Sequence, residues 1–260
     1  MIIKAENISY TYPKGKRKIL DDISFSLNDG EIVSVLGVNG SGKTTFLNCL
    51  ATLITPDEGN IFIGGRNAKS LKSKEIASLI GYVPQTHTPS FPYTVFNFVL
   101  MGRAPKIGMF ERPKEKDIEI TERIIEEMDL SHLKDRPYTE ISGGERQKAT
   151  IARALVSEPK AILFDEPTAH LDYGNQLRTL KVIKKLSEKG YAVVMTTHNP
   201  DYAIMLGGNT AVLSCDGRLT KGRSSEILTE EKLREIYNVP ISLTYLESVH
   251  RNICVPPNLV

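Results

Sequence analysis

Gly37-Val38-Asn39-Gly40-Ser41-Gly42-Lys43-Thr44 follows a short apolar run, Ile32-Val33-Ser34-Val35-Leu36, and this junction limits the possible folds more than any other stretch. The spacing G-x-x-x-x-G-K-T between a buried strand and a helix is that of a phosphate-binding loop. Its glycines let the backbone curl so that successive N–H groups point at phosphate oxygens, and the helix starting near Lys43 adds its N-terminus. Lys43 would neutralise charge on the β- and γ-phosphates, and the Thr44 hydroxyl would ligate Mg2+.

The rest of the chain fits an α/β architecture around that junction. The first thirty residues alternate apolar and polar positions around Tyr12-Pro13-Lys14-Gly15 and Asn28-Asp29-Gly30, which predicts short antiparallel strands. Ile61-Phe62-Ile63, followed by Gly64-Gly65, reads as a further strand and turn. Strand-like runs return at 161–164, 192–196 and 210–213, separated by helical stretches such as 177–186. Strands alternating with helices predict a parallel sheet. Residues 86–157 break the alternation: Pro89, Phe91, Pro92 and Tyr93 open a helical region in which Ile118, Ile125 and Met128, with Ile124 beside them, fall near one face. The tail predicts a helix at Glu230–Tyr237, then Pro240 and an irregular end.

Composition excludes several classes of protein. At 260 residues the chain can bury a sizeable core as one large domain or two intimate subdomains. Its formal net charge of +2 carries no electrostatic bias toward nucleic acid. Three cysteines without metal-like spacing read as reduced thiols. No apolar stretch approaches the roughly 20 residues needed to span a bilayer, and MIIKAENISY lacks a signal-peptide layout. The expectation is a chain soluble by itself, held at any membrane by another polypeptide.

Two further segments carry chemistry. Ala161-Ile162-Leu163-Phe164-Asp165-Glu166 is an apolar strand ending in two carboxylates. Burying that strand puts Asp165 at the C-terminal edge of the sheet, where open α/β sheets bind ligands. Asp165 suits Mg2+, and Glu166 suits orienting or deprotonating a water. Ile141-Ser142-Gly143-Gly144-Glu145-Arg146-Gln147 contains Ser-x-x-Glu, a helix capping box, before the helical run 149–155. A capped helix whose first turn is bare glycine is also an anion site, so capping and phosphate contact do not compete.

With these motifs in this order, the chain resembles the ATPase subunit of an ABC transporter over nearly its whole length. The resemblance implies a P-loop NTPase fold: a RecA-like core with an N-terminal antiparallel β subdomain (1–85 and 158–225), an inserted α-helical subdomain (86–157) and a C-terminal helical appendage (226–260). It implies ATP and Mg2+ as ligands. Gly37 to Thr44, with Thr45, would hold the phosphates. Gln85, after Tyr82-Val83-Pro84, would sense Mg2+ and the attacking water, and Thr44 and Asp165 would hold the metal. Glu166 and His198 would be catalytic beside Lys43. Ser142 and Gly144 would contact the γ-phosphate of ATP held by the opposing subunit, and Gly143, Glu145 and Asp172, the last in Leu171-Asp172 where the family has its D-loop, would also belong to the nucleotide site. Tyr12 aligns with the residue that stacks on adenine, with Tyr10 as the alternative. Glu145 and Ile141 depart mildly from the usual signature, and His170 receives no catalytic role.

The likeness extends to partners. It implies a homodimer on ATP binding, transmembrane permease subunits, indirectly an extracytoplasmic substrate-binding protein, and a place at the cytoplasmic face of the cell membrane. Phe91-Pro92-Tyr93-Thr94-Val95, Leu100-Met101-Gly102-Arg103 and the run from Ala169 to Gln176 look like importers of iron–siderophore complexes, haem and cobalamin, as does the ending from Leu228 to Val239. Zinc or manganese importers are the nearest alternative. A nucleic-acid-linked ABC ATPase is disfavoured by the missing heptad run and the near-neutral charge. Met101, Arg103, Met109 and Phe110 are candidates for a partner surface, whereas His87, His132 and His250 form no ligand-like cluster.

Overall fold

In the computed structural model, which describes residues 1–13, 15, 17–85, 91–108 and 110–258, secondary structure follows the apolar runs. His87, Pro89 and Met109, singled out from sequence, lie outside the described residues. The chain begins with strands β1 (Ile3–Tyr10), β2 (Leu20–Leu27) and β3 (Ile32–Leu36), and β3 feeds helix α1 (Lys43–Leu50). Strands β4 (Glu58–Ile63) and β5 (Arg66–Asn67), helix α2 (Ser73–Leu79) and strand β6 (Ile80–Val83) follow. Helices α3 (Val95–Leu100), α4 (Glu115–Glu127) and α5 (Gly143–Leu155) come next. The chain then alternates through β7 (Ala161–Phe164), α6 (Tyr173–Glu188), β8 (Ala192–Thr197), α7 (Pro200–Leu206), β9 (Asn209–Leu213) and β10 (Leu219–Arg223). It closes with α8 (Ser224–Ile227), α9 (Glu230–Tyr237), β11 (Ser242–Leu246) and β12 (Arg251–Val255).

Two sheets result. One is antiparallel, ordered β2-β1-β4-β5. The other is ordered β10-β9-β3-β8-β7-β6, parallel except for the edge strand β10. Strands β3, β7 and β8 are buried at every position, as parallel strands covered on both faces must be. Their side chains divide with period two. Val33, Val35, Leu163 and Val194 pack with Phe46, Leu47 and Leu50 of α1 and with Ile3, Ile8 and Leu27 of the antiparallel sheet. Ile162, Phe164, Val193 and Met195 face the other way, toward Ile183 of α6 and Ile151 and Leu155 of α5. A fully buried residue such as Phe46 contributes roughly 1.5–3 kcal/mol by burial alone.

Because β3, β8, β7 and β6 are parallel neighbours, their C-terminal ends share one edge of the sheet. The phosphate loop leaves β3 there, His198 leaves β8, Asp165-Glu166 leave β7 and Gln85 follows β6. Topology alone therefore gathers four separate sequence motifs.

Three expectations need correction. Ile118 is 41% exposed. The buried stripe of α4 runs through Asp117, Ile120, Thr121, Ile124 and Ile125, and Ile118 sits on its rim in the first turn. The chain end is not irregular. Asn238 caps α9 in the left-handed conformation, after which β11 and β12 form an antiparallel hairpin. Leu243 and Tyr245, and Ile253 and Val255, sit at alternate positions as strand residues do, a signal that the expectation of an irregular end left unused. Arg103 is no surface residue: it is 5% exposed, in ion pairs with Asp117 at 2.8 Å and Glu158 at 3.2 Å. Met101 and Phe110 are exposed.

Candidate active site

The convergence of strand ends creates a cavity of about 950 Å³. Its walls include Tyr12, Asn39, Gly40, Gly42, Lys43, Thr44, Thr45, Gln85, Glu166 and His198, all expected from sequence. Gly42 ends the loop at φ +102° and an added Cβ would stand 2.7 Å from the Ile19 side chain, so only glycine fits. Lys43 is 5% exposed and folds back along the loop, donating to the carbonyls of Gly37 at 2.9 Å and Val38 at 3.1 Å. The same carbonyl of Val38 accepts from the Ser41 N–H at 3.2 Å, closing the turn.

The Lys43 ammonium also meets Glu166 Oε1 at 3.0 Å, and His198 Nδ1 lies 3.1 Å from Glu166 Oε2. Burial opposes ionisation of Glu166, but Lys43 and, less strongly, His198 outweigh it and hold the carboxyl below its ordinary value. Glu166 takes φ +41°, a left-handed conformation rare for a non-glycine residue, and its N–H donates to Thr196 Oγ1 at 2.8 Å. Thr196 also donates to Asp165 Oδ1 at 2.8 Å, and Thr44 donates to the same oxygen at 3.1 Å. Tyr82 stands 3.5 Å from the other carboxylate oxygen. Hydroxyl and carboxylate oxygens thus adjoin at the end of the phosphate loop. That donor set suits Mg2+, which needs only one or two protein oxygens beside substrate phosphates. Among the described residues, no cluster of three or more His, Cys, Asp or Glu offers a self-contained metal cage.

Tyr12 lines the cavity, with its hydroxyl 3.0 Å from Thr45 Oγ1; Tyr10 packs edge-on behind it at 5.1 Å and does not. Ser142, Gly143, Gly144, Glu145 and Asp172 are also absent from the cavity wall. They form a second constellation. Ser142 Oγ accepts from the Glu145 N–H at 3.4 Å while Glu145 Oε2 accepts from the Ser142 N–H at 2.8 Å, the reciprocal capping box. Asp172 caps α6 by accepting from the Asn175 N–H at 2.8 Å. The two helix starts touch through Asn175, whose amide would lie 2.5 Å from a Cβ at Gly144.

The sequence model of the ABC transporter family matches residues 20–169, more than half of the chain. The chain belongs to that family. A molybdate import ATP-binding protein of Haemophilus influenzae is 35% identical to this ABC protein, covering 92% of it and 89% of the relative. A probable iron chelatin transport ATP-binding protein of Helicobacter pylori is 35% identical, covering 93% and 94%. Among solved structures, a chain of a metal-chelate type ABC transporter in an inward-facing conformation superposes with a TM-score of 0.87 at 32% identity, over 99% of this chain and 98% of that one. A dimeric ATP-binding cassette in a post-hydrolysis state with ADP and Pi superposes with a TM-score of 0.73 at 28% identity, over 86% and 99%. The fold is that of the ABC ATPases, and the chain is an ATPase of this type. Among the described residues no helix is long and apolar enough to cross a membrane.

The structure also places at the cassette's cavity residues to which sequence reasoning gave no place in the nucleotide site: Ile19, Thr168, Asn199 and Tyr202, together with Ala169, His170, Tyr173 and Gln176 of the run noted above only for its likeness to importers. Tyr202 donates to Gln176 Oε1 at 2.6 Å, and Gln176 Nε2 donates to the Leu171 carbonyl at 3.0 Å, which joins α7, α6 and the loop between β7 and α6. Thr196 is the clearest omission; its only sequence signal is a hydroxyl near the end of an otherwise apolar strand.

Gly144 is a packing requirement as well as a signature residue. Asn175 is held by Asp172, to which its Nδ2 donates at 2.6 Å, and by Arg178, which donates to its Oδ1 at 2.9 Å. A Gly144→Ala variant must push that amide aside, and overpacking of this kind costs about 1–3 kcal/mol. Thermal melts of Gly144→Ala in wild-type and Asn175→Ala backgrounds should show a smaller loss in the second. Equal losses would mean that Asn175 is not what the alanine meets.

Proposed function

We propose that the chain is the ATP-hydrolysing subunit of an ABC importer, closing as a homodimer on two ATP molecules to drive permease subunits that take up an iron–siderophore or related metal chelate. One observation carries the reading. Lys43, Thr44, Gln85, Glu166 and His198 share a single cavity, while the glycine pair at 143–144 does not reach it. Each ATP would then need the capped start of α5 from a second copy, with Ser142, Gly143, Gly144 and Glu145 facing its γ-phosphate and Asp172 at the seam. The likeness to a dimeric cassette supports that arrangement.

The chemistry follows from the charges. Loop N–H groups from Gly37 to Thr45 receive the phosphates, and Tyr12 stacks on adenine. Lys43 turns from Glu166 to the β- and γ-phosphate oxygens. Its departure removes the strongest influence holding the Glu166 carboxyl low, so the carboxylate becomes a better base just when phosphate is present. Glu166 then orients and deprotonates the attacking water, Gln85 bounds it, and His198 faces the γ-phosphate. Thr44 and Asp165, with Gln85, would hold Mg2+, which would neutralise charge on the phosphate oxygens when bound. Loss of the γ-phosphate releases the opposing 142–145 turn and reopens the dimer. The permease subunits hold the chain at the cytoplasmic face of the membrane, and an extracytoplasmic binding protein delivers the cargo.

Lys43→Ala should weaken ATP binding by at least about tenfold, since a charge-assisted hydrogen bond contributes about 1.5–3 kcal/mol. Equilibrium titration with a fluorescent ATP analogue reads this directly, and unchanged affinity would remove Lys43 from the phosphate site. Cargo is tested separately by ATP-dependent uptake with the copurified permease. Uptake of ferric chelates supports the assignment; uptake of molybdate alone would overturn the chelate class while leaving the ATPase intact.

A further inference from the structure

The C-terminal hairpin and α9 do more than extend the chain. Leu233 of α9 is fully buried and packs with Leu228, Ala203 and Leu36, the last residue of β3 before the phosphate loop. From that anchored helix the Tyr237 hydroxyl donates to the backbone carbonyl of His198 at 2.6 Å. Burial pushes the Tyr237 phenol up from its ordinary pKa, so the hydroxyl stays protonated as a donor. The hairpin grips the same segment three residues on. The Cys254 N–H donates to Asp201 Oδ1 at 3.0 Å, and Arg251 lies 3.8 Å from that oxygen. Leu243 N–H donates to Glu230 Oε1 at 2.7 Å, which ties hairpin and helix into one unit.

His198 needs such support. Its ring is 55% exposed, and among the described residues its polar ring contact is with Glu166. The residue stands between the last position of β8 and Asn199, the N-cap of α7, outside either ladder of backbone hydrogen bonds. A hydrogen bond to its carbonyl therefore restrains the peptide that aims the imidazole.

We propose that Tyr237 is a positioning residue for His198, and that the seating of the C-terminal unit on residues 198–201 sets the rate of ATP hydrolysis. The inference rests on the reading of His198 as the group facing the γ-phosphate. Tyr237 touches neither nucleotide nor water in this scheme; it acts through the histidine backbone.

Steady-state ATPase measurements on the full-length chain test it, using Tyr237→Phe, His198→Ala and the double variant. Removing one hydroxyl should lower kcat about two- to tenfold, the span of one hydrogen bond, with the KM for ATP unchanged. His198→Ala should lower kcat further, and adding Tyr237→Phe to it should change nothing more. Full activity in Tyr237→Phe alongside an impaired His198→Ala would overturn the inference and spare the histidine reading. A multiplicative loss in the double variant would also overturn it, because Tyr237 would then act elsewhere. Normal turnover in His198→Ala would remove both. Ring resonances of labelled His198 supply a rate-independent check: they should shift in Tyr237→Phe, and unchanged resonances count against the proposal.

Discussion

Glu166→Gln is expected to bind ATP with near wild-type affinity and to lose turnover by about two to four orders of magnitude, the usual contribution of a positioned general base. The substitution keeps the side chain's size and its ability to accept from Lys43 and contact His198, now 3.0 and 3.1 Å away. What it removes is the carboxylate that takes the proton. Binding without hydrolysis should arrest the closed form, so size-exclusion chromatography with ATP and Mg2+ should show a stable dimer that the wild type passes through only transiently. Turnover within a few-fold of wild type would show that Glu166 is not the base. Turnover loss without dimer accumulation would instead detach hydrolysis from dimer opening.

Arg103→Ala carries the largest expected cost in stability. The guanidinium donates through Nε to Asp117 at 2.8 Å and through Nη1 to the Val156 carbonyl at 2.9 Å, linking the segment after α3 to α4 and the end of α5. Truncation leaves a buried carboxylate without its cation, which costs about 3–5 kcal/mol; the lower end applies because the Lys114 N–H still donates to Asp117. About 3 kcal/mol corresponds to a fall in Tm of roughly 6–12 °C for a chain of this size. Arg103→Met with Asp117→Leu should recover much of it, since an apolar pair has no charge to strand. The pH dependence gives an independent sign. The backbone donor at Lys114 first, against burial, and then Arg103 hold the Asp117 carboxyl below its ordinary value. That contribution is complete above the ordinary carboxylate pKa and lost as pH falls toward the depressed one. Arg103→Ala should therefore lose less stability than wild type on acidification. A melting temperature within a degree or two of wild type would refute the strut.

Arg103 also shows where sequence reasoning stops. An arginine beside exposed Met101 looks like part of a partner surface, because its acidic partners are 14 and 55 residues away in sequence. The phosphate loop, by contrast, is legible because its chemistry is local: one short segment supplies the N–H groups, the ammonium and the hydroxyl. The capping box at Ser142 and Glu145 is legible for the same reason, spanning three residues. Thr196 escaped notice because it matters only through Asp165 and Glu166, some thirty positions earlier. The C-terminal hairpin escaped because two short strands become stable only against α7 and α9.

From residue order alone came the α/β class, the phosphate loop, the paired carboxylates after a buried strand and the capped glycine turn. Each is encoded within a window short enough for backbone geometry and periodicity to act. Tertiary structure decided what those motifs share. Parallel pairing of β3, β8, β7 and β6 brings the loop, His198, Asp165-Glu166 and Gln85 to one edge, and leaves the glycine turn at 143–144 off the cavity wall. It also set the Lys43–Glu166 pairing that lowers the carboxyl and the reach of Tyr237 to His198. Such contacts depend on distances between elements remote in sequence, and only the packed core fixes those distances.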